Sequence, residues 1–155
     1  MKNYILTILT VLAITQGVYS QTDKQQIIDV EAVTKEIKSN IIKYQKIEKI
    51  KDSNSNKYVY KDGNELKLVT IYFEDNDVNK NVEWYISNGQ LIYSHQIWTD
   101  NKTNKVVSNE KCYLKSGQLI AWTKDGKPVD TNSEEFKKIG TDLPAYGTEL
   151  IAQTK

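Results

Sequence analysis

A chain of 155 residues with 21 lysines, 20 acidic residues and no arginine is long enough for one domain with one sizeable core, and is close to electrical balance. That balance, with the guanidinium group missing altogether, excludes the positive, bidentate surface on which phosphate and nucleic-acid recognition depend. The single cysteine, Cys112, excludes an intramolecular disulfide and leaves either a buried or a dimerising thiol.

The chain opens with Lys2 and then an uncharged, mostly apolar run from Tyr4 to Ile14 (YILTILTVLAI). The run is shorter than the roughly 20 apolar residues a membrane-spanning helix needs. Val18-Tyr19-Ser20 follows, with tolerated side chains at the −3 and −1 positions of a signal-peptidase site. A signal peptide over residues 1–20 is therefore expected, cleaved between Ser20 and Gln21. Residues 21–155 would then form a single domain, soluble in the periplasm or secreted. Without Lys2 the mature chain is formally neutral. No cysteine follows the apolar run, so there is no acceptor for a lipid anchor, and no other segment is apolar enough to cross a membrane.

From Thr22 to about Tyr44 the period is helical, with Ile27, Val30, Val33, Ile37, Ile41 and Tyr44 on one stripe. Thr22-x-x-Gln25 and Asp23-x-x-Gln26 both suit a capping box. Gln45 to Ile50 either finishes the helix or begins a strand, and KDSNSNK from Lys51 to Lys57 is the first clear break.

From Lys57 to about Thr123 the period becomes two. The expected strands are Tyr58–Lys61, Leu66–Phe73, Val82–Ser87, Gln90–Trp98, Val106–Lys115 and Gln118–Thr123, punctuated by Asp62-Gly63, Asn88-Gly89, Ser116-Gly117 and Asp125-Gly126. Asn-Gly between apolar alternations is a strong hairpin signal, because a type I′ turn needs positive φ at both central residues. Strands joined so tightly are antiparallel neighbours, and the result is a meander.

WYISNGQLIY at Trp84 returns 28 residues later as CYLKSGQLIA at Cys112. The repeat reads as one hairpin design used twice. Simple alternation pairs Ile86 with Leu91, Tyr85 with Ile92 and Trp84 with Tyr93. In the second copy it pairs Leu114 with Leu119, Tyr113 with Ile120 and Cys112 with Ala121. One face then carries Trp84, Ile86, Leu91, Tyr93, Cys112, Leu114, Leu119 and Ala121. The other carries Tyr85, Ile92, Tyr113, Ile120 and Trp122. Cys112 is expected to be buried because it takes the place of Trp84.

After Pro128 a short helix starts at SEEFKKI, and Pro144 interrupts before a weak turn around Leu150. The fold class is α+β: a long N-terminal helix packed on an antiparallel meander, with a short C-terminal helix.

The segments YVYKDGNELK, EWYISNGQLI and, most specifically, KCYLKSGQLIAWTKDGKPVDTNSEEF (Lys111 to Phe136) resemble a group of small secreted proteins of Bacteroidota. The recurring units of that group read EYYFxNGxLI and xYYFxxGKLIxWxxxxGKxVDxxSxEF. Cys112 stands where the group usually has Tyr, and Leu114 where Phe is usual. The resemblance implies export and this type of fold, and brings no catalytic residues with it. A weaker similarity joins the Y-x-x-x-G-x-L units to MORN-type repeats, although the spacing is longer and the trailing Gly is missing.

Signals for chemistry are few. His95, the only histidine, falls on the face of Leu91 and Tyr93 by alternation, with no nucleophile motif beside it. A Cys112–His95 pair is conceivable across strands. EDNDVNKN from Glu74 offers oxygen ligands but lacks the Gly and Glu of a calcium loop, so a solvated turn is expected. Asn101-Lys102-Thr103 matches a glycosylation sequon and is read as a loop coincidence. No phosphate loop, paired-carboxylate motif or zinc spacing appears, so no metal, cofactor or catalytic residue is assigned.

Ten tyrosines and three tryptophans against two phenylalanines point to contacting surfaces, since these side chains combine an apolar body with a polar tip. One helix covers one sheet face. Tyr85, Ile92, Tyr113, Ile120 and Trp122 would then be an exposed binding patch, unless the sheet curls, the C-terminal segment covers it or a homodimer forms through it. The expected function is an exported binding module for an envelope protein, peptide or glycan, an immunity or inhibitor protein being the specific form. A small exported hydrolase using His95, or a structural envelope component, is the alternative.

Overall fold

The computed structural model describes residues 20–52 and 55–154. Apart from Ser20, the expected signal peptide lies outside the described residues. Helix α1 spans Gln21–Ser39, a 3₁₀ turn follows at Ile41–Lys43, and helix α2 spans Glu134–Gln153. Between them lie β1 (Gln45–Asp52), β2 (Ser55–Asp62), β3 (Glu65–Phe73), β4 (Val78–Ser87), β5 (Gln90–Asp100), β6 (Val106–Lys115), β7 (Gln118–Lys124) and β8 (Lys127–Pro128). Every strand pairs antiparallel with the next, in the order β1 to β8. The α+β class and the meander stand as read from the sequence. Gln45 to Ile50 begins a strand, not a helix end. No helix among the described residues is long and apolar enough to cross a membrane.

In the full chain helix α1 is capped by Ser20 and Asp23, two and three residues before the boxes expected from sequence, and cleavage after Ser20 would remove this cap. Ser20 Oγ accepts from the Asp23 amide at 3.1 Å, and Asp23 accepts in return from the Ser20 amide at 3.0 Å. The helix ends at Asn40, whose amide and side chain both donate to the Glu36 carbonyl. Tyr44 is already extended. All six residues of the expected stripe pack into one core with the sheet, Val30 and Ile37 most deeply.

The turns are as the glycines require. Asn88 and Gly89 have φ of 52° and 70°, Ser116 and Gly117 50° and 75°, and both pairs are left-handed as a type I′ turn demands. A side chain added at Gly89 or Gly117 meets no atom within 4 Å, so only backbone strain opposes it. Gly89→Val and Gly117→Val are each expected to cost about 1–3 kcal/mol in urea melts. Wild-type stability in both variants would refute the turn assignment.

Register departs from simple alternation at a point that recurs beside the hairpin turns, and also between Glu48 and Ile50 and between Trp98 and Thr99. Ile86 pairs with Leu91 as expected, but Tyr85 pairs with Tyr93 and Trp84 with Ser94, leaving Ile92 as the extra residue of a bulge. The second copy does the same: Leu114 pairs with Leu119, Tyr113 with Ala121, Cys112 with Trp122, and Ile120 is extra. The first hairpin bulges at Lys67 in the same way. A bulge puts two residues opposite one and offsets the alternation beyond it. Tyr93 and Ala121 therefore join the Tyr85 face, and Trp122 moves to the face of Leu91 and Leu119.

The corrected faces read as cross-strand rows. Tyr60, Leu68, Tyr85, Tyr93, Tyr113 and Ala121 form one row, and α1 lies on it. On the opposite face run Val59, Val69, Trp84, Ser94, Cys112 and Trp122, beneath α2. Small Ser94 and Cys112 stand between the two tryptophans. The Cys112 thiol is buried there, and that burial pushes its pKa up to about 12.

Helix α2 does not stop at Pro144. A proline in a helix interior costs about 3 kcal/mol, yet Phe136 and Leu143 before it and Gly147 and Leu150 after it are all buried. That burial on both sides outweighs the lost hydrogen bond. Ser133 caps the helix by accepting from the Phe136 amide, Glu134 and Glu135 suit the positive end of its dipole, and Lys61 Nζ holds the Thr154 carbonyl at 2.6 Å beyond its last turn.

Candidate functional site

With a helix on each face, the patch expected to be open is largely core. Tyr85, Tyr113 and Trp122 are buried, and Ile92 and Ile120 are half-buried against the α1 cluster. Four of the five share a face; Trp122 points the other way, under α2. Covered by α1, that face is not available as a dimer seam in this arrangement. The tyrosines are there because their hydroxyls meet carboxylates at the edge of α1. Tyr113 Oη donates to Glu31 at 2.9 Å and Tyr85 Oη to Glu83 at 2.8 Å. Tyr93 lies between them, its ring centre 5.5 Å from Tyr85 and 5.0 Å from Tyr113. Burial first, then these glutamates, raise all three phenols.

One pleat further out on the α1 face, Tyr58, Thr70, Glu83, His95, Lys111 and Thr123 form a polar row. Its centre faces a cleft of about 440 Å³, walled by Thr34, Lys35, Lys38 and Ser39 of α1. Glu83 is the hub. His95 Nδ1 at 3.8 Å, Tyr85 Oη and Lys38 Nζ at 3.7 Å converge on its Oε2. The His95 contact first, then Tyr85 and Lys38, lower its pKa against the opposing effect of burial.

A carboxyl lowered in the folded state stabilises the fold fully above its unfolded pKa, near 4.5, and that stability is lost as pH falls through the lowered value. Glu83→Gln is accordingly expected to weaken the protein at pH 7 and to flatten the acid limb of its stability curve. Urea melts between pH 7 and pH 3 check both; an acid limb as steep as wild type would refute the hub.

His95 is poorly placed for catalysis. Its Nε2 faces Asn109 Oδ1 at 3.0 Å while Nδ1 faces Glu83, so both ring nitrogens are engaged inside the sheet. Cys112 lies on the opposite face, which removes the cross-strand Cys–His pair. The cleft hydroxyls of Thr34 and Ser39 donate to carbonyls of their own helix.

The exposed aromatic surface lies elsewhere, at the end of the sheet beyond both helices. Strands β4 and β5 are long, and Trp98 sits four residues along β5 from the core Ser94, or about 13 Å at strand rise. Near this end the row on the α2 side is Ser55, Phe73, Lys80, Trp98 and Ser108, with only the Val78–Asp100 pair beyond it. Phe73, Val78, Val82 and Trp98 line a cup of about 380 Å³, with Glu74, Asp75, Lys80 and Gln96 completing it. No helix residue contributes to it. Phe73 is 39% exposed and neighbouring Tyr72 41%. Lys80 Nζ stands 4.3 Å from the Trp98 ring centre, and Trp98 Nε1 is buried without a hydrogen-bond partner.

Two loops that frame this end are stitched together. Asp100 Oδ1 accepts from Thr103 N, Thr103 Oγ1 and Lys102 N, and these bonds, Thr103 foremost, lower its pKa. Asn101 donates through its side chain to the Asp75 carbonyl at 2.6 Å and through its amide to that of Asp77 at 3.0 Å. Asp77 pairs with Lys102 at 3.4 Å. The acidic stretch and the sequon thus meet as a fixed rim. Sequence reading missed the cup because it ended the strands early: β4 starts four residues before Val82 and β5 runs two past Trp98. Comparison with protein-family models, with curated proteins and with solved structures finds no match to this chain.

Proposed function

We propose that the protein is an exported binding module that takes a protein, peptide or glycan ligand in the cup at the uncovered end of its sheet. Its specific form is an immunity or inhibitor protein acting on an exported enzyme. The observation that carries the reading is a cup beside a hydrogen-bonded rim, with Phe73 39% exposed and Trp98 half-buried in its wall, which no helix among the described residues covers. Exposed aromatic groups with a polar border mark interaction sites, and a preformed rim reduces the ordering cost of binding. Export is supported by the apolar run with its small-residue exit, and by the resemblance to secreted proteins.

Peptide and glycan arrays probed with wild type, Phe73→Ser and Trp98→Ala test the site. Binding should be lost in both variants, while Phe73→Ser, whose ring is 39% exposed, should lose no more than about 1–2 kcal/mol and stay folded. Ligands that bind Phe73→Ser as well as wild type would sink the assignment. Export has its own test: intact mass from the producing organism should show a chain starting at Gln21, and mature material retaining Met1 would end that part of the reading.

A further inference from the structure

The lining of the cup says which ligand class it fits. A pyranose ring binds by stacking on an indole face, but Lys80 Nζ already occupies the ring of Trp98 at 4.3 Å. The rest of the floor is Val78, Val82 and Phe73, which suits an aliphatic or aromatic side chain. Trp98 Nε1 is buried away from the cup's opening, so the indole offers a ligand its apolar surface and not its N–H.

Charge points the same way. Among the described residues Glu74 and Asp75 have no cation partner; Asp75 Oδ1 accepts only the neighbouring Asn76 amide. Asp77 is engaged with Lys102, and Lys80 with the indole. The rim left free to a ligand is therefore acidic, and it favours a basic one.

We infer that the occupant is a segment of a partner protein. One large apolar side chain sits in the cup, and flanking lysine or arginine faces Glu74 and Asp75. This rests on the reading of the cup as the binding site. The test is selection of a phage-displayed random peptide library on the wild-type protein, followed by titration of the selected peptide as a synthetic probe.

The expected consensus is one large apolar residue with Lys or Arg within about three positions. Affinity should fall about tenfold or more in Phe73→Ser, in Glu74→Lys/Asp75→Lys and, to a smaller degree, in the milder Glu74→Gln/Asp75→Asn. Added salt should weaken the wild-type complex more than the charge-reversed one. Selected peptides without basic flanks, or affinity unchanged by both rim variants, would overturn the inference. A glycan whose array binding is lost in Phe73→Ser would uphold the cup as a site but overturn the peptide assignment. If no peptide and no glycan is sensitive to Phe73→Ser, both readings fall.

Discussion

Trp122→Ala is expected to cost about 3–5 kcal/mol, the range for emptying a large aromatic site in a core. The side chain is 1% exposed and packs in one cluster with Leu91, Cys112, Leu114, Phe136 and Leu143. Truncation would leave a void bounded by the sheet on one side and α2 on the other, and neither can collapse into it without breaking the second cluster around Ile86 and Leu150. Against a total stability of about 5–15 kcal/mol for a domain of this kind, such a loss should lower the urea midpoint by a large fraction, and at the low end of that range leave the protein partly unfolded. Urea melts of Trp122→Ala beside Leu91→Ala, which should lose about 2–5 kcal/mol, settle it. A Trp122→Ala variant that melts like wild type would mean that α2 does not cover this face, and the Trp122 side would again be an open surface.

Gly147→Val should be nearly as damaging, for the opposite reason. A Cβ at Gly147 would sit 2.8 Å from Leu91 Cβ and 3.0 Å from Leu91 Cδ2. Leu91 cannot yield, because it is 5% exposed and follows directly on the tight Asn88-Gly89 hairpin. Helix α2 would have to lift, and Leu143 and Leu150 on either side would lift with it. The expected cost is about 2–3 kcal/mol or more. Gly140→Ala in the same helix is the control: its Cβ would meet Leu119 at an ordinary 3.7 Å, so relief of the glycine penalty should stabilise it by up to about 1 kcal/mol. Equal effects at the two glycines would show that helix propensity, not contact with β5, governs α2.

The sequence exposed the parts of this fold that local chemistry dictates. Asn88-Gly89 and Ser116-Gly117 located the turns because few other pairs accept two positive φ values, and the α1 stripe was legible because all six residues face one core. The bulges were not legible from alternation, which assumes one residue opposite one. Their trace is the Leu91-Ile92 and Leu119-Ile120 doublets, where two adjacent apolar residues occupy a half-buried strand. The extent of helix α2 was misread because Pro144 looks like a breaker; in the structure Pro144 is carried by burial on both sides. These two misreadings together made Trp122 look exposed. They also directed attention away from Phe73 and Trp98, whose placement depends on strand lengths that no local signal fixes.

The absence of any crossover in the sheet bears on how the chain assembles. Each strand pairs only with its neighbours in sequence, so every turn can close its own hairpin before the rest of the sheet exists. Sheets made of such local pairings form faster than those that must bring distant strands together. The slow events are then the helix dockings, since contacts such as Tyr113 with Glu31 span 82 residues. A chain emerging from its N-terminus presents α1 first and has to hold it undocked until β6 and β7 arrive. The Asn88-Gly89 turn can close the β4–β5 hairpin in that interval, whereas the Ser116-Gly117 turn brings in β6 and β7 themselves and so completes the surface on which α1 docks.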